Sequence, residues 1–211
     1  YPKPKHIAMI VDNPILSIFK ALIPSQVSLA FTRNLISDSI SCAADCGIET
    51  FSIYPPFLLR DYPYEYVKRV ITDNIIFQST QKNLQCYIVG PMGVQSNNVR
   101  SSNQVRLFLQ YDGHQEIVSA TRHYYANTGP GMPLKTNHDG LKALKENLVI
   151  NMGKPVDFII RTSTNFFNEG FLLWQSLESE YWFHKGLWPF TKKSFYKALA
   201  DYAVRERRFG K

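Results

Sequence analysis

The feature of this sequence that most constrains its fold is an alternation of short apolar runs with longer segments whose apolar residues recur at helical spacing. Short continuous apolar runs are typical of parallel strands that are buried on both faces. Strands that alternate with helices predict an α/β layered fold, with a mostly parallel central sheet flanked by helices. The runs interpreted as strands span residues 6–11, 48–54, 84–90, 105–111, 156–161 and 180–183.

The segments between these runs are interpreted as helices, because their apolar residues follow the period of an α-helix. The predicted helices span residues 25–46, 63–80, 116–126, 141–149 and 192–209, with a buried helix or turn from residue 170. In sheets of this class, ligands bind beyond the carboxyl ends of the strands. This rule directs attention to Asp12, Tyr54, Gly90, residues 111–113 and Arg161.

Length and composition indicate a single domain. The chain has 211 residues without an internal repeat or a low-complexity linker, so we predict one domain over residues 1–211. Its three cysteines are too few for a disulfide framework and favour a reducing compartment. Because no apolar run is long enough to cross a bilayer, we expect a cytoplasmic protein, or one at the cytoplasmic face of a membrane. A membrane anchor preceding Tyr1 stays open.

The charge of the chain is strongly basic. The formal net charge of +7 favours an anionic partner, such as a diphosphate, an anionic membrane surface or a nucleic acid. Seven basic residues and only two acidic ones lie between residues 192 and 211. The simpler interpretation of such a run is a solvated helix face. Since no nucleic-acid-binding motif accompanies the charge, we expect no nucleic-acid partner.

Three stretches of sequence together resemble the cis-prenyltransferases, the family of the undecaprenyl and dehydrodolichyl diphosphate synthases. They are PKHIAMIVD at 4–12, PVDFIIRTS with FLLWQS at 155–163 and 171–176, and LWPF with RERRFG at 187–190 and 205–210. Between them, GIETFSIY and YDGHQEI occupy the places of the family's second strand and its tyrosine-glycine loop. The resemblance therefore covers the whole chain and implies the undecaprenyl diphosphate synthase-like fold.

The resemblance also implies a reaction. The family joins isopentenyl diphosphate to an allylic diphosphate, and it needs cations around both diphosphates, a Mg²⁺ ion and an apolar tunnel. In the family's first motif an aspartate holds the metal and assists ionisation, and Asp12 matches this aspartate. Here Asn13, Pro14 and Ile15 follow it, and Leu16 replaces an arginine. Because proline has no backbone N–H, we expect a poor phosphate cradle.

The isopentenyl diphosphate site departs from the family pattern in the same direction. Arg161 matches the family's first arginine at this site, but the second arginine and the following serine fall on Phe167 and Glu169. The family's glycine-histidine pair falls on Ser28 and Leu29. The loss of cations and the gain of an acid both weaken the binding of a diphosphate.

The C-terminal segment keeps the family pattern. Arg208 and Gly210 form the R-x-G that, in the family, reaches across a dimer to close the partner's isopentenyl diphosphate site. Glu180 matches an acid that the family associates with the metal and the interface, so Asp12 and Glu180 are the implied Mg²⁺ ligands. The residues implied to bind substrate are Arg161, Arg205, Arg208 and Gly210.

Two functions follow from this pattern. The first is an accessory, largely non-catalytic subunit of a heteromeric, dimeric cis-prenyltransferase that makes long-chain, dolichyl-type polyprenyl diphosphate. It resembles the Nogo-B receptor subunits, which lend R-x-G to a catalytic partner. The second is a divergent Mg²⁺-dependent prenyl diphosphate synthase or terpene synthase, active by itself or with a second copy. A scaffold that only shares the fold is a third interpretation.

Several of these residues have simpler roles open to them. Asp12 could cap the next helix, and Arg161 could be an ordinary ion-pair residue. In the divergent enzyme, an apolar pocket would be lined by Leu16, Phe57, Phe166 and Phe167. Residues 14–24, PILSIFKALIP, are nearly all apolar, and we predict that they fill the vacated pocket rather than present an apolar face to a partner or membrane.

Overall fold

A mostly parallel β-sheet forms the centre of the molecule. The computed structural model describes residues 3–12, 24–128, 137–148, 155–164, 170–185 and 189–205. Within these ranges the sheet has seven strands in the order β4-β3-β5-β2-β1-β6-β7, and only the β3–β4 pair is antiparallel. The strands are β1 His6–Ile10, β2 Thr50–Tyr54, β3 Gln85–Gly90, β4 Gly93–Ser96, β5 Gln104–Phe108, β6 Phe158–Arg161 and β7 Glu180–Phe183. The predicted α/β fold class is confirmed.

All six predicted strands are present, with bounds that differ from the prediction by up to three residues, and one edge of the sheet carries a strand that was not predicted. β7 has the bounds that the apolar run predicts, whereas β4 is an additional strand. It pairs with β3 through a short turn, at which Gly93 has a φ of +95° that favours glycine. Val94 is exposed, so the strand lacks the apolar pattern from which strands are predicted.

The helices differ from the prediction in number and in bounds, although each of the five predicted helices overlaps a described one. The helix predicted at 63–80 is interrupted by a π-helical turn, Lys68–Thr72, and the last helix ends at Ala203 rather than at residue 209. Described helices are α1 Ser25–Asp45, α2 Leu58–Asp61, α3 Tyr64–Val67, α4 Asp73–Gln81, α5 Gly113–Thr128, α6 Asn137–Asn147 and α7 Lys192–Ala203. None of the described helices is long and apolar enough to cross a membrane.

Each face of the sheet carries its own apolar core. Because side chains alternate along a strand, Ile7 and Met9 of β1 join the larger core, while Ala8 and Ile10 join the smaller one. On the larger side α7 packs its Phe195 edge-on against Phe51 of β2, with ring centroids 5.8 Å apart. The continuation of this alternation places Asp12, two residues beyond Ile10, on the side of the smaller core.

Candidate functional site

An ion pair joins Asp12, which follows β1, to Arg161, the last residue of β6. Arg161 Nε donates to Asp12 Oδ2 at 2.6 Å and Nη2 donates to Oδ1 at 3.0 Å, so the contact is bidentate. The two strands are paired in register with Ile10 beside Arg161, and this places the residues at the same carboxyl edge. Arg161 is only 1% exposed, and bidentate arginine–carboxylate pairs are among the strongest hydrogen-bonded contacts in proteins.

The two residues after Arg161 hold Asp12 in place. Thr162 Oγ1 accepts from the backbone N–H of Asp12 at 2.9 Å and donates to its carbonyl oxygen at 3.0 Å. Ser163 Oγ donates to Asp12 Oδ2 at 2.7 Å. The Asp12 carboxylate therefore accepts three hydrogen bonds from one short segment of the chain. Sequence reasoning selected Asp12 and Arg161 but did not anticipate that the threonine and serine of the RTS motif would complete the contact.

The described residues do not fit a Mg²⁺ site. Mg²⁺ requires oxygen ligands in octahedral geometry, and both oxygens of Asp12 already accept from Arg161 or Ser163. Across the described ranges, no group of three or more His, Cys, Asp or Glu side chains could hold a metal ion. A cation at Asp12 would have to displace the guanidinium of Arg161.

The structure does not bring Glu180 together with Asp12. Glu180 is the first residue of β7 and pairs in register with Phe158, whereas Asp12 lies beyond the carboxyl ends of its neighbouring strands. Instead, Arg205 Nη1 donates to Glu180 Oε2 at 3.0 Å and to the carbonyl oxygen of Tyr181 at 2.9 Å. The guanidinium also pairs with Asp201. The resemblance assigns Arg205 to substrate and Glu180 to the metal, but the two residues contact each other at the amino end of β7, away from Asp12.

Four aromatic rings pack together in and against the smaller core. They are Tyr54, Phe108, Tyr111 and Phe171, with centroids 4.8 to 6.3 Å apart. Tyr111 donates its hydroxyl to the buried Glu116. Burial, together with this carboxylate, raises the pKa of Tyr111 well above its ordinary value. The tyrosine is therefore a fixed hydrogen-bond donor at neutral pH.

A cleft of about 470 Å³ opens at the carboxyl ends of β2, β3 and β5. Its wall is rich in tyrosine and proline, and among the described residues that line it Arg60 is the one with a charged side chain. The lining residues are Tyr54, Pro56, Leu59, Arg60, Tyr62, Pro63, Tyr64, Pro91, Leu109, Gln110 and Tyr111. Phe57, which was predicted to line a pocket, instead belongs to the larger core.

Gly113 holds the tyrosine-glycine loop close to the chain at Gly170. A Cβ atom on Gly113 would lie 2.2 Å from the carbonyl oxygen of Gly170 and 2.9 Å from Cβ of Leu173. The absence of a side chain therefore permits a close approach of two backbones. This contact connects the loop before α5 with the segment that follows the RTS motif.

Several residues selected from the sequence lie outside the described ranges. Leu29 and Ser28, at the place of the family's glycine-histidine pair, are described and are buried in α1. The predicted packing of residues 14–23 is not described, while Pro24 itself is exposed. The other selected residues outside the described ranges are Asn13, Phe166, Phe167, Glu169, Arg208 and Gly210.

Comparison with known proteins gives matches in sequence and in fold. A family model described as putative undecaprenyl diphosphate synthase matches residues 76–210, which is more than half of the chain. The (2Z,6E)-farnesyl diphosphate synthase of Mycolicibacterium smegmatis is 38% identical over 126 residues, covering 56% of this chain and 47% of that protein. An isoprenyl transferase of Thermotoga maritima is 38% identical over 103 residues, covering 48% and 43%. The matched region spans about half the length of these relatives.

Two solved structures share the fold. Lavandulyl diphosphate synthase from Lavandula x intermedia, in complex with dimethylallyl diphosphate, superposes with a TM-score of 0.79 over 99% of both chains at 21% identity. A probable undecaprenyl diphosphate synthase from Campylobacter jejuni superposes with a TM-score of 0.69 over the full length of both chains at 18% identity. With the matched family model, these findings establish that the chain belongs to the prenyltransferase family of putative undecaprenyl diphosphate synthases.

Proposed function

We propose that this chain is an accessory, largely non-catalytic subunit of a heteromeric cis-prenyltransferase that makes long-chain, dolichyl-type polyprenyl diphosphate. In this role its C-terminal R-x-G segment completes the isopentenyl diphosphate site of a catalytic partner. The observation that carries the proposal is the bidentate pairing of Asp12 with Arg161. Two residues of the family's own site that survive in the sequence are thus used to bind each other.

The charge balance of this pair supports the proposal. A diphosphate is bound by cations whose N–H groups are free to donate to its oxygens. A metal ion is bound by carboxylates whose oxygens are free to coordinate it. Asp12 and Arg161 form a neutral pair, with Ser163 as a further donor to the carboxylate. A substrate would have to break the pair before either charge became available.

At the other positions where the family has cations around its diphosphates, this sequence has uncharged residues. Leu16, Leu29 and Phe167 stand where the family has an arginine, a histidine and a second arginine, and Glu169 replaces a serine. Each lost hydrogen bond to a charged group is worth about 1.5–3 kcal/mol. The loss of three such contacts reduces binding of the diphosphates by more than about a thousandfold, since about 1.4 kcal/mol corresponds to a factor of ten.

Arg205, which directly precedes the C-terminal segment, is held by several contacts. Its guanidinium contacts Asp201 of α7, Glu180 of β7 and the carbonyl oxygen of Tyr181, and it lies 5.8 Å from the ring centroid of Phe158. Residues 206–211, which include Arg208 and Gly210, follow this anchor directly. Under the proposal Arg205 supports the donated segment, the partner supplies the Mg²⁺ site, and Arg208 contacts the partner's substrate.

A divergent enzyme is the second candidate function. The tyrosine-lined cleft at the carboxyl edge favours it, as do the names of the relatives, which are a farnesyl diphosphate synthase and isoprenyl transferases. In this alternative Asp12 releases Arg161 when a Mg²⁺-bound diphosphate arrives. The alternative predicts turnover by the purified chain, which the accessory role does not.

The experiment that tests the proposal is complex formation followed by an activity assay. The tagged chain is purified from its native source, and the co-purifying catalytic subunit is assayed with and without it. We expect Arg208→Ala to abolish the stimulation while the complex still forms, and the matched variant Lys197→Ala on α7 to keep it. Failure to stimulate any co-purifying prenyltransferase would contradict the accessory role.

A further inference from the structure

A second buried arginine lies far from the ion pair described above. Arg106 is in the middle of β5, in register with Ser52 of β2 and Tyr87 of β3, and it is 8% exposed. Because its neighbours Val105 and Leu107 belong to the larger core, its side chain is on the opposite face of the sheet. β5 and β6 are three strand spacings apart, so Arg106 is about 14 Å from Arg161 across the sheet.

The guanidinium of Arg106 has few partners. Nη2 donates to Oε1 of Gln104 at 2.7 Å, and Nη1 is buried without any hydrogen-bond acceptor. Throughout the described part of the chain, no carboxylate forms an ion pair with this residue. Burial lowers the pKa of Arg106, while Tyr87 opposes the effect. Arginine nevertheless stays charged in proteins, so the site holds a buried positive charge.

The neighbouring side chains on this face are polar and include no carboxylate among His6, Ser52, Gln85 and Gln104. His6 and Ser52 share a hydrogen bond of 2.9 Å, and Gln104 donates to Gln85 at 3.5 Å. Both His6 and Ser52 are buried. A buried charge is costly unless it is paired, and an arginine with an orphaned Nη1 indicates a missing anionic partner.

We propose that Arg106 binds a small inorganic oxyanion of the phosphate class on this face of the sheet. The planar guanidinium offers donors that match two oxygens of such an ion. The small exposed area of the residue limits the ligand to a compact anion, and the net charge of +7 favours its approach. The site is independent of the Asp12–Arg161 pair and of the accessory role.

Thermal unfolding in inorganic phosphate tests this site. The melting temperature is measured against phosphate concentration, at constant ionic strength set with sodium chloride, for the native chain, Arg106→Met and Arg100→Gln. Arg100 is an exposed arginine of the neighbouring loop and serves as the matched control. We expect a saturable rise of about 2–4 °C in the native chain and in R100Q, and no saturable rise in R106M.

The order of the melting temperatures of R106M and the native chain should also reverse when phosphate is added. The unbranched apolar side chain of methionine removes a buried charge that has no counter-ion, so R106M should melt above the native chain without phosphate and below it at saturation. An equal phosphate response in R106M and the native chain would overturn the proposal. If R106M does not fold, calorimetric titration of phosphate into the native chain decides, and the absence of saturable binding is then the contradicting result.

Discussion

Arg161 binds the carboxylate of Asp12 through two donors, across a separation of 149 residues in the sequence. The contact joins two neighbouring strands at the edge where this fold class places its ligands. In this chain the charges of Asp12 and Arg161, at the carboxyl ends of these strands, are therefore paired with each other. The pair links the ends of β1 and β6, and under the proposed function it also keeps both charges from a substrate.

Removal of one partner of this pair should destabilise the fold strongly. Asp12→Ala takes the carboxylate away from a guanidinium that is 1% exposed, and breaking a buried pair in this way costs about 3–5 kcal/mol. The measurement is urea unfolding followed by circular dichroism. Lys142→Ala is the control, because it breaks an exposed pair with Glu146 worth less than about 0.5 kcal/mol.

A double variant distinguishes the energy of the Asp12–Arg161 pair from the cost of losing the Asp12 side chain. Asp12→Leu with Arg161→Met replaces both charges by apolar groups, which is often close to neutral for a buried pair. We expect the double variant to recover most of the stability lost in D12A. Equal losses in the two variants would show that the charges do not interact energetically.

Gly113→Ala should disrupt the contact between the tyrosine-glycine loop and the chain at Gly170. The added methyl group meets the carbonyl oxygen of Gly170 at 2.2 Å, and overpacking of this kind costs about 1–3 kcal/mol. Gly90→Ala is the matched control, since its methyl group meets Tyr64 at an ordinary 3.5 Å. A G113A chain as stable as G90A would contradict the described approach.

Tyr111→Phe should destabilise the chain through Glu116. The substitution removes the hydroxyl that donates to a carboxylate whose residue is 5% exposed and leaves that oxygen with a 3.5 Å hydrogen bond from Gln175, and the loss of a donor to a buried acceptor costs about 1–3 kcal/mol. Tyr125 on α5 is half exposed, so Tyr125→Phe should change the unfolding free energy by less than about 0.5 kcal/mol. Equal effects of the two substitutions would argue against the Tyr111–Glu116 contact.

The stability of the chain should fall in alkaline solution partly because of Cys86. Burial raises the pKa of this thiol from 9.0 to about 11. Between those values the unfolded chain loses the proton and the folded chain keeps it, so the stabilising contribution is complete below pH 9 and declines toward pH 11. From pH 9 to 10 the native chain should lose about 1 kcal/mol more than Cys86→Ala in urea unfolding. Parallel pH profiles of the two proteins would refute this.

Much of the fold could be predicted from the sequence, because the buried strands are short apolar runs. β7 has the predicted bounds and β1 differs by one residue. β4 could not be found in this way, since an exposed edge strand with Val94 toward solvent has no core to impose a pattern. The π-helical turn at Lys68–Thr72 was likewise not predicted, because the buried residues Val67, Ile71 and Ile75 keep the spacing of four that also indicates an α-helix.

The candidate site was less accessible to sequence reasoning. The residue types of Asp12 and Arg161 pointed to the correct edge, but their mutual pairing depends on the register of β1 against β6. The separation of Glu180 from Asp12 did have a signal in the sequence. Glu180 begins a predicted strand and Asp12 follows one, so in a parallel sheet they lie at opposite ends of the strands. Arg106 gave no comparable signal, because a single charged residue in a strand does not reveal its partners.

Turnover by the isolated chain tests the central claim most directly. The purified chain is incubated with farnesyl diphosphate, radiolabelled isopentenyl diphosphate and Mg²⁺, beside a catalytic family member at equal concentration, and incorporation into extractable prenyl product is counted. The lost cation positions at Leu16, Leu29 and Phe167 predict incorporation at least about a thousandfold below that of the catalytic enzyme, and the Asp12–Arg161 pair acts in the same direction. Incorporation within tenfold of that enzyme would contradict the accessory role.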